Sequence, residues 1–142
     1  MTSHQINLVK NSWVLVAQID KETVGSLFYN RLFEIAPEVK PMFSRTTMPE
    51  QSKKLLTMLS YIINKLDKLD DIIDEVKKLA QRHVHYGVKD EHYIAVGSAL
   101  LYTLEAGLGN NWTSDLKLAW ISCYVLLSGA MIDASKGVQE VA

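Results

Sequence analysis

All three prolines of this 142-residue chain, Pro37, Pro41 and Pro49, fall between positions 37 and 49. Proline removes a backbone donor and clashes with the preceding helical turn. Long helices can therefore run without interruption on either side of that stretch, and the chain must turn a corner within it. The apolar spacing agrees with this division. Ile6, Val9, Trp13 and Val16 recur at three- and four-residue steps, which places them on one face of a first helix. Thr2 with Gln5 forms a capping box at its start.

Asp20 can cap a second helix with an inner face of Val24, Leu27, Phe28, Leu32 and Ile35, ended by Pro37. Thr47-Met48-Pro49-Glu50 opens a third, because it offers a cap, an early proline and an acid in the first turn. Leu55, Leu59, Ile62, Ile63 and Leu66 carry that stripe onward. Leu69, Ile72, Ile73, Val76, Leu79 and Ala80 mark a fourth helix, closed by Gly87. Asp90 is expected to cap a fifth that stops at Gly109, and Thr113 or Ser114 a sixth. In the sixth, Leu116, Ala119, Trp120, Cys123, Tyr124 and Leu127 lie on or near the buried side. No strand alternation, repeat or linker is visible. The expectation is an all-α fold of about six long helices plus a short proline-rich corner, one domain over residues 1–142.

Charge and composition narrow the function classes. Fifteen basic against sixteen acidic side chains leave a net charge of -1, which supplies no general pull toward nucleic acid or an anionic membrane. Apolar residues at 48% and charged ones at 22% suit a folded rather than a disordered chain. The uncharged run Leu118 to Ile132 is shorter than a spanning helix needs. A lone cysteine, Cys123, permits no internal disulfide and fits a reducing compartment. With no export signal at the N-terminus, a cytoplasmic protein is expected.

Signatures of common catalysts are missing. There is no glycine-rich phosphate loop, paired-cysteine metal site or nucleophile elbow. Cys123 reads as a small core residue. Among His4, His83, His85 and His92, the pair 83 and 85 points to different sides of a helix, which argues against a zinc site. His83 continues the inner face of the fourth helix one turn beyond Leu79. Two roles stay open for it on spacing: a buried histidine bonded to a carbonyl, or an axial ligand projecting into an apolar cavity.

Longer motifs favour the second role. Tyr29-Asn30-Arg31-Leu32-Phe33, Ala36-Pro37-Glu38-Val39 and Pro41-Met42-Phe43, in that order, resemble the globin family, particularly bacterial single-domain globins, flavohaemoglobin haem domains and neuroglobin-like chains. His83 with Tyr86-Gly87-Val88 and Glu91-His92-Tyr93 is similar to the family's proximal segment. Ala119-Trp120, Tyr124 and Ala130-Met131 are similar to its last helix, and Trp13 to its first-helix tryptophan.

The resemblance implies a globin fold around a haem pocket and a b-type haem (iron protoporphyrin IX) whose iron is held by His83. It implies that Phe43, Leu55, Leu79, Val88 and Tyr93 line the cofactor. Lys53 and Lys54 would be solvated or pair with a haem propionate, with coordination of the iron by Lys54 as the alternative. Gln51 takes the distal place and Tyr29 adds a phenol, so two donors would meet a bound gas and slow its release. Gly25, one turn before Tyr29, and Ser52, next to Gln51, would let the second and third helices cross closely.

The implied function is reversible binding of dioxygen, nitric oxide or carbon monoxide, of the oxygen-binding or transport type. An enzyme of the same pocket, a nitric oxide dioxygenase, is the alternative. It would draw electrons from a separate reductase, because the chain ends at Ala142 with no reductase module. A gas sensor acting through a partner, or a haem-free helical interaction protein, would be further uses of such a fold. One departure stands out. Ser135 occupies the place where relatives of this kind carry a glutamate beside the tyrosine matched by Tyr93, which weakens the case for peroxidase-like chemistry.

Overall fold

The computed structural model describes the backbone of residues 1–141 and the side chains of residues 1–135. Six α-helices follow one another: α1 Ser3–Ala17, α2 Lys21–Ile35, α3 Met48–Asn64, α4 Ile73–His85, α5 Asp90–Leu108 and α6 Ser114–Val141. Short 3₁₀ segments at Pro37–Phe43, Leu66–Ile72 and Gly109–Asn111 join some of them. No strand occurs among the described residues. The fold is all-α, with its proline-rich corner between α2 and α3.

Helix starts follow local chemistry. Thr2 Oγ1 accepts the Gln5 N–H at 3.1 Å while Gln5 Oε1 accepts the Thr2 N–H at 3.0 Å, so two otherwise orphaned donors are satisfied. Asp20 and Thr47 accept from Thr23 and Glu50 in the same way. Of the two candidates before α6, Thr113 is the cap, accepting from the Leu116 N–H at 3.2 Å. The start of α5 corrects the expectation: Asp90 is the first helical residue and Lys89 the cap. There the His92 ring supplies the bond, its Nδ1 accepting the Lys89 N–H at 3.0 Å. Asp90 and Glu91 sit in the first turn, where carboxylates complement the helix dipole.

The break between α3 and α4 also departs from the sequence pattern. Leu66 lies beyond α3, and Leu69 and Ile72 precede α4, all three within a 3₁₀ segment interrupted by the non-helical backbone of Lys68. Spacing could not reveal this, because three residues per turn keep Leu66, Leu69 and Ile72 on one side as an α-helical stripe would. Two expected core positions are also more open than predicted, Ile35 at 41% and Ile73 at 42% exposure.

Helix α2 crosses α3 and lies on α5, α1 packs on α6 and α3, and α4 packs on α6. The main core gathers Val9, Val24, Phe28, Leu32, Ala99, Leu104 and Trp120. Trp13 and Trp120 lie 6.0 Å apart between ring centroids. Each indole N–H is satisfied at 2.9 Å, Trp13 by Ser60 Oγ and Trp120 by Ser12 Oγ. A smaller cluster of Ile62, Ile72 and Val76, with Leu79, Leu127 and Met131, seats α4 on α6.

The close crossing expected from Gly25 and Ser52 is present. A Cβ on Gly25 would overlap the Ser52 side chain and lie 3.0 Å from its Cα. In length and composition α6 could cross a membrane. Its Leu116, Ala119, Trp120 and Cys123 are buried within the main core, while Leu118, Val125 and Leu126 are exposed.

Candidate functional site

Two helices leave one face unfinished. On α3, Ser52 and Leu56 are buried, whereas Gln51 and Leu55 beside them are only partly covered. On α4, Val76 and Ala80 are buried, whereas Leu79 and His83, again one turn apart, are partly covered. Helices α3 and α4 meet through Ile62 and Val76 in the smaller cluster, about two to three turns along from Gln51 and His83.

His83 is anchored by its own helix. Its Nδ1 lies 2.7 Å from the Leu79 carbonyl oxygen. A carbonyl can only accept, so Nδ1 carries the hydrogen and Nε2 keeps a bare lone pair. Burial, the largest influence, holds the His83 pKa below the ordinary imidazole range. The Leu79 carbonyl opposes that shift and the Arg82 charge adds to it. A neutral imidazole with one nitrogen tied and the other free is the donor chemistry of an axial haem ligand. The residues present therefore fit the cofactor that the sequence motifs imply.

Gly87 turns the chain directly after α4. Its φ of +86° lies in the left-handed region that favours glycine. The turn lets the Val88 N–H donate to the His83 carbonyl at 3.0 Å, which brings Val88, half-buried, back alongside the histidine. Met42 from the proline-rich corner reaches the same turn: its Cε would lie 3.9 Å from a Cβ on Gly87.

On α2, Tyr29 is buried, and Gln51 Nε2 donates to its Oη at 3.1 Å. The phenol is the acceptor in that bond, so its own hydrogen is left to donate elsewhere. Burial pushes the Tyr29 pKa up to about 12, partly opposed by the Gln51 contact, and the hydroxyl stays protonated. Phe43 meets Tyr29 edge-on at 5.2 Å and Phe33 at 5.7 Å, while Tyr29 and Phe33 lie 6.0 Å apart. The structure thus joins Tyr29, Gln51 and Phe43. Sequence reasoning did not single out Phe33 as part of this group. Its signal was present, one helical turn after Tyr29 on the same face of α2.

The remaining predicted residues divide. Leu55 packs against the main core and Leu79 against the smaller cluster. The larger part of Leu79 toward His83 is played by its carbonyl, which spacing did not indicate. Lys54 is exposed, as is Lys53; from the solvent side it can pair with an acidic group but is not enclosed. Tyr93 is buried on α5, and burial raises its pKa. Its carbonyl accepts from the Tyr124 hydroxyl. Its own Oη has no hydrogen-bond partner of good geometry among the described residues. Ser135, also buried, gives its hydroxyl to the Met131 carbonyl at 2.8 Å instead. The lone Cys123 is buried, and desolvation pushes its thiol up to about 12, so it is a core residue.

The chain is similar to known proteins along most of its length. The family model described as Globin matches residues 26–131. A flavohemoprotein of Bacillus subtilis (strain 168) is 32% identical over 96% of this chain, which spans 35% of that protein's length. A neuroglobin of Tetraodon nigroviridis is 28% identical over 92% of this chain and 90% of its own. In three dimensions the chain is similar to a bacterial globin from Campylobacter jejuni, with a TM-score of 0.86, 30% identity and coverage of 98% and 99% of the two chains.

Proposed function

The chain belongs to the globin family, and from that premise we propose that it holds a b-type haem through His83 Nε2 and reversibly binds dioxygen or a similar diatomic gas. Haem-based gas binding is the property of the family. When bound, the haem supplies an iron with an axial position at which a gas ligand can be held.

The chain's own residues would do the rest. The Leu79 carbonyl fixes the His83 tautomer and aims its lone pair. Because its partner is a carbonyl and not a carboxylate, the imidazole is a donor of ordinary strength. Gln51 holds Tyr29 by donating to it, and the freed phenol hydrogen is the group offered to a polar ligand. Phe43, Leu55 and Val88 supply the apolar surface that orients a flat macrocycle and keeps water out. Lys54, exposed on α3, would pair with a propionate.

The single observation that carries this reading is the neutral His83 imidazole, tied at Nδ1 and free at Nε2. Its test is reconstitution with haemin, followed by visible spectra of the ferric, ferrous and carbon monoxide forms of the wild type and of His83→Ala. A five-coordinate ferrous spectrum that His83→Ala abolishes is the expected result. A six-coordinate ferrous spectrum before any gas is added would mean that a side chain takes the gas position. No haemin uptake at all would overturn the function.

The Tyr29 and Gln51 pair also suits a second use. Two polar groups that retain a ligand favour its consumption over its release, as in nitric oxide dioxygenation, where one nitric oxide, one dioxygen and one electron give one nitrate. A separate reductase would supply the electron. Nitrate formed at the rate of nitric oxide loss, over many turnovers with a reductant present, supports this use; a single turnover would leave reversible binding.

A further inference from the structure

A cavity opens at the proline-rich corner, and of the residues assigned to the haem only Phe43 lines it. It has a volume of about 470 Å³ and is lined by Phe33, Pro37, Lys40, Pro41, Phe43 and Met48. That volume lies within the roughly 300–1,000 Å³ of ordinary small-ligand sites. Gln51, Leu55, His83 and Val88 do not line it; Phe43 is the wall it shares with the candidate haem site.

The lining is apolar apart from one ammonium at its rim and the hydroxyl of Ser44. Lys40 Nζ lies 6.0 Å over the Phe33 ring, a contact that holds the cation against the cavity wall. No carboxylate pairs with Lys40 among the described residues. The nearby Glu38 leans instead toward His92, 3.9 Å from its Nε2. Pro37 and Pro41 stiffen two sides, so little chain entropy is lost when a ligand enters. One unpaired cation at the edge of an apolar cleft selects an anion with a hydrocarbon body.

We propose that the corner cavity binds a free monocarboxylic acid with an alkyl tail, its carboxylate on Lys40 and its tail between Phe33, Phe43 and Met48. The site goes beyond the haem reading and stands without it. Occupancy would also be felt at the gas site, because Phe33 and Phe43 both pack on Tyr29, and Tyr29 is the acceptor of Gln51.

The test is isothermal titration of the purified, haemin-treated protein with decanoate, and with 1-decanol as the partner that lacks the charge. Wild type should bind decanoate at one site. Lys40→Met should weaken decanoate about tenfold, the scale of one charge-assisted contact, and leave decanol unchanged. Ser44→Trp, a surface substitution that fills the cleft, should weaken both. No decanoate binding by wild type, or equal binding by wild type and Lys40→Met, overturns the proposal; the second result would place the acid elsewhere. Visible spectra on the same samples keep the two readings apart. Haemin uptake without a decanoate site sinks this inference alone, and a Lys40-dependent decanoate site without haemin uptake sinks the haem reading alone.

Discussion

Tyr29 shows how much of the site chemistry sits in single side chains. Its hydroxyl is buried, protonated and held as an acceptor by Gln51. Tyr29→Phe should therefore leave the fold intact but remove the donor, and dioxygen should dissociate about fivefold faster, the equivalent of one net hydrogen bond of roughly 1 kcal/mol. Stopped-flow displacement by carbon monoxide measures it, and an unchanged rate would remove Tyr29 from the site. Cys123 makes the opposite case, a reactive residue type made inert by its surroundings. Its thiol pKa is raised to about 12 by burial, whereas an unfolded thiol titrates near about 8.5. The protonated form is thus favoured in the fold. That contribution to stability is complete below the unfolded value and is lost as the pH rises from there toward the folded one. A thiol reagent at pH 8 should modify Cys123 only at the rate of unfolding, and urea midpoints should fall above pH 9. Cys123→Ser should flatten that fall.

Among the elements, the crossing of α2 and α3 is the most demanding. The two backbones meet at Gly25 and Ser52 with no room for a methyl group, and this contact sets Tyr29 on one helix beside Gln51 on the other. Gly25→Ala should force the helices apart and destabilise the protein by about 1–3 kcal/mol, the usual range for overpacking. It should also break the Gln51 to Tyr29 bond. Adding Ser52→Gly should restore only part of the loss, since the Ser52 Cα still lies 3.0 Å from the new Cβ. Urea unfolding of the two single variants and the double variant gives the coupling directly; additive effects would mean that the two positions do not touch. Helix starts that depend on a residue and its third neighbour were legible in the sequence, as Thr2, Asp20 and Thr47 show. The start of α5 was not. Asp90 has the right side chain for a cap, but the chain leaves Gly87 at an angle that puts Lys89 at the boundary and hands the bond to His92.

For the molecule as a whole, the division of the core predicts where it opens. Helix α5 buries nine residues and α4 only Val76 and Ala80, with α6 as its main support. Hydrogen exchange of the haem-free protein should therefore be fastest across α4 among the six helices and slowest in α5. On the proposed ligation by His83, addition of haemin should protect α4 most; equal protection everywhere would argue against that ligation. The all-α class, the corner and most helix limits were readable without coordinates, because period and caps are properties of neighbours along the chain, while His83, Tyr29, Gln51 and Phe43 were singled out by the resemblance to a family. The 3₁₀ break through Lys68 escaped, since three residues per turn mimic an α-helical stripe over so short a span. The exposure of Ile35 and Ile73, the Leu79 carbonyl on His83, the place of Phe33 beside Phe43, and the corner cavity under Lys40 escaped for a different reason. Each depends on which surfaces meet after the helices have packed, and on backbone groups that are the same at every position of the sequence.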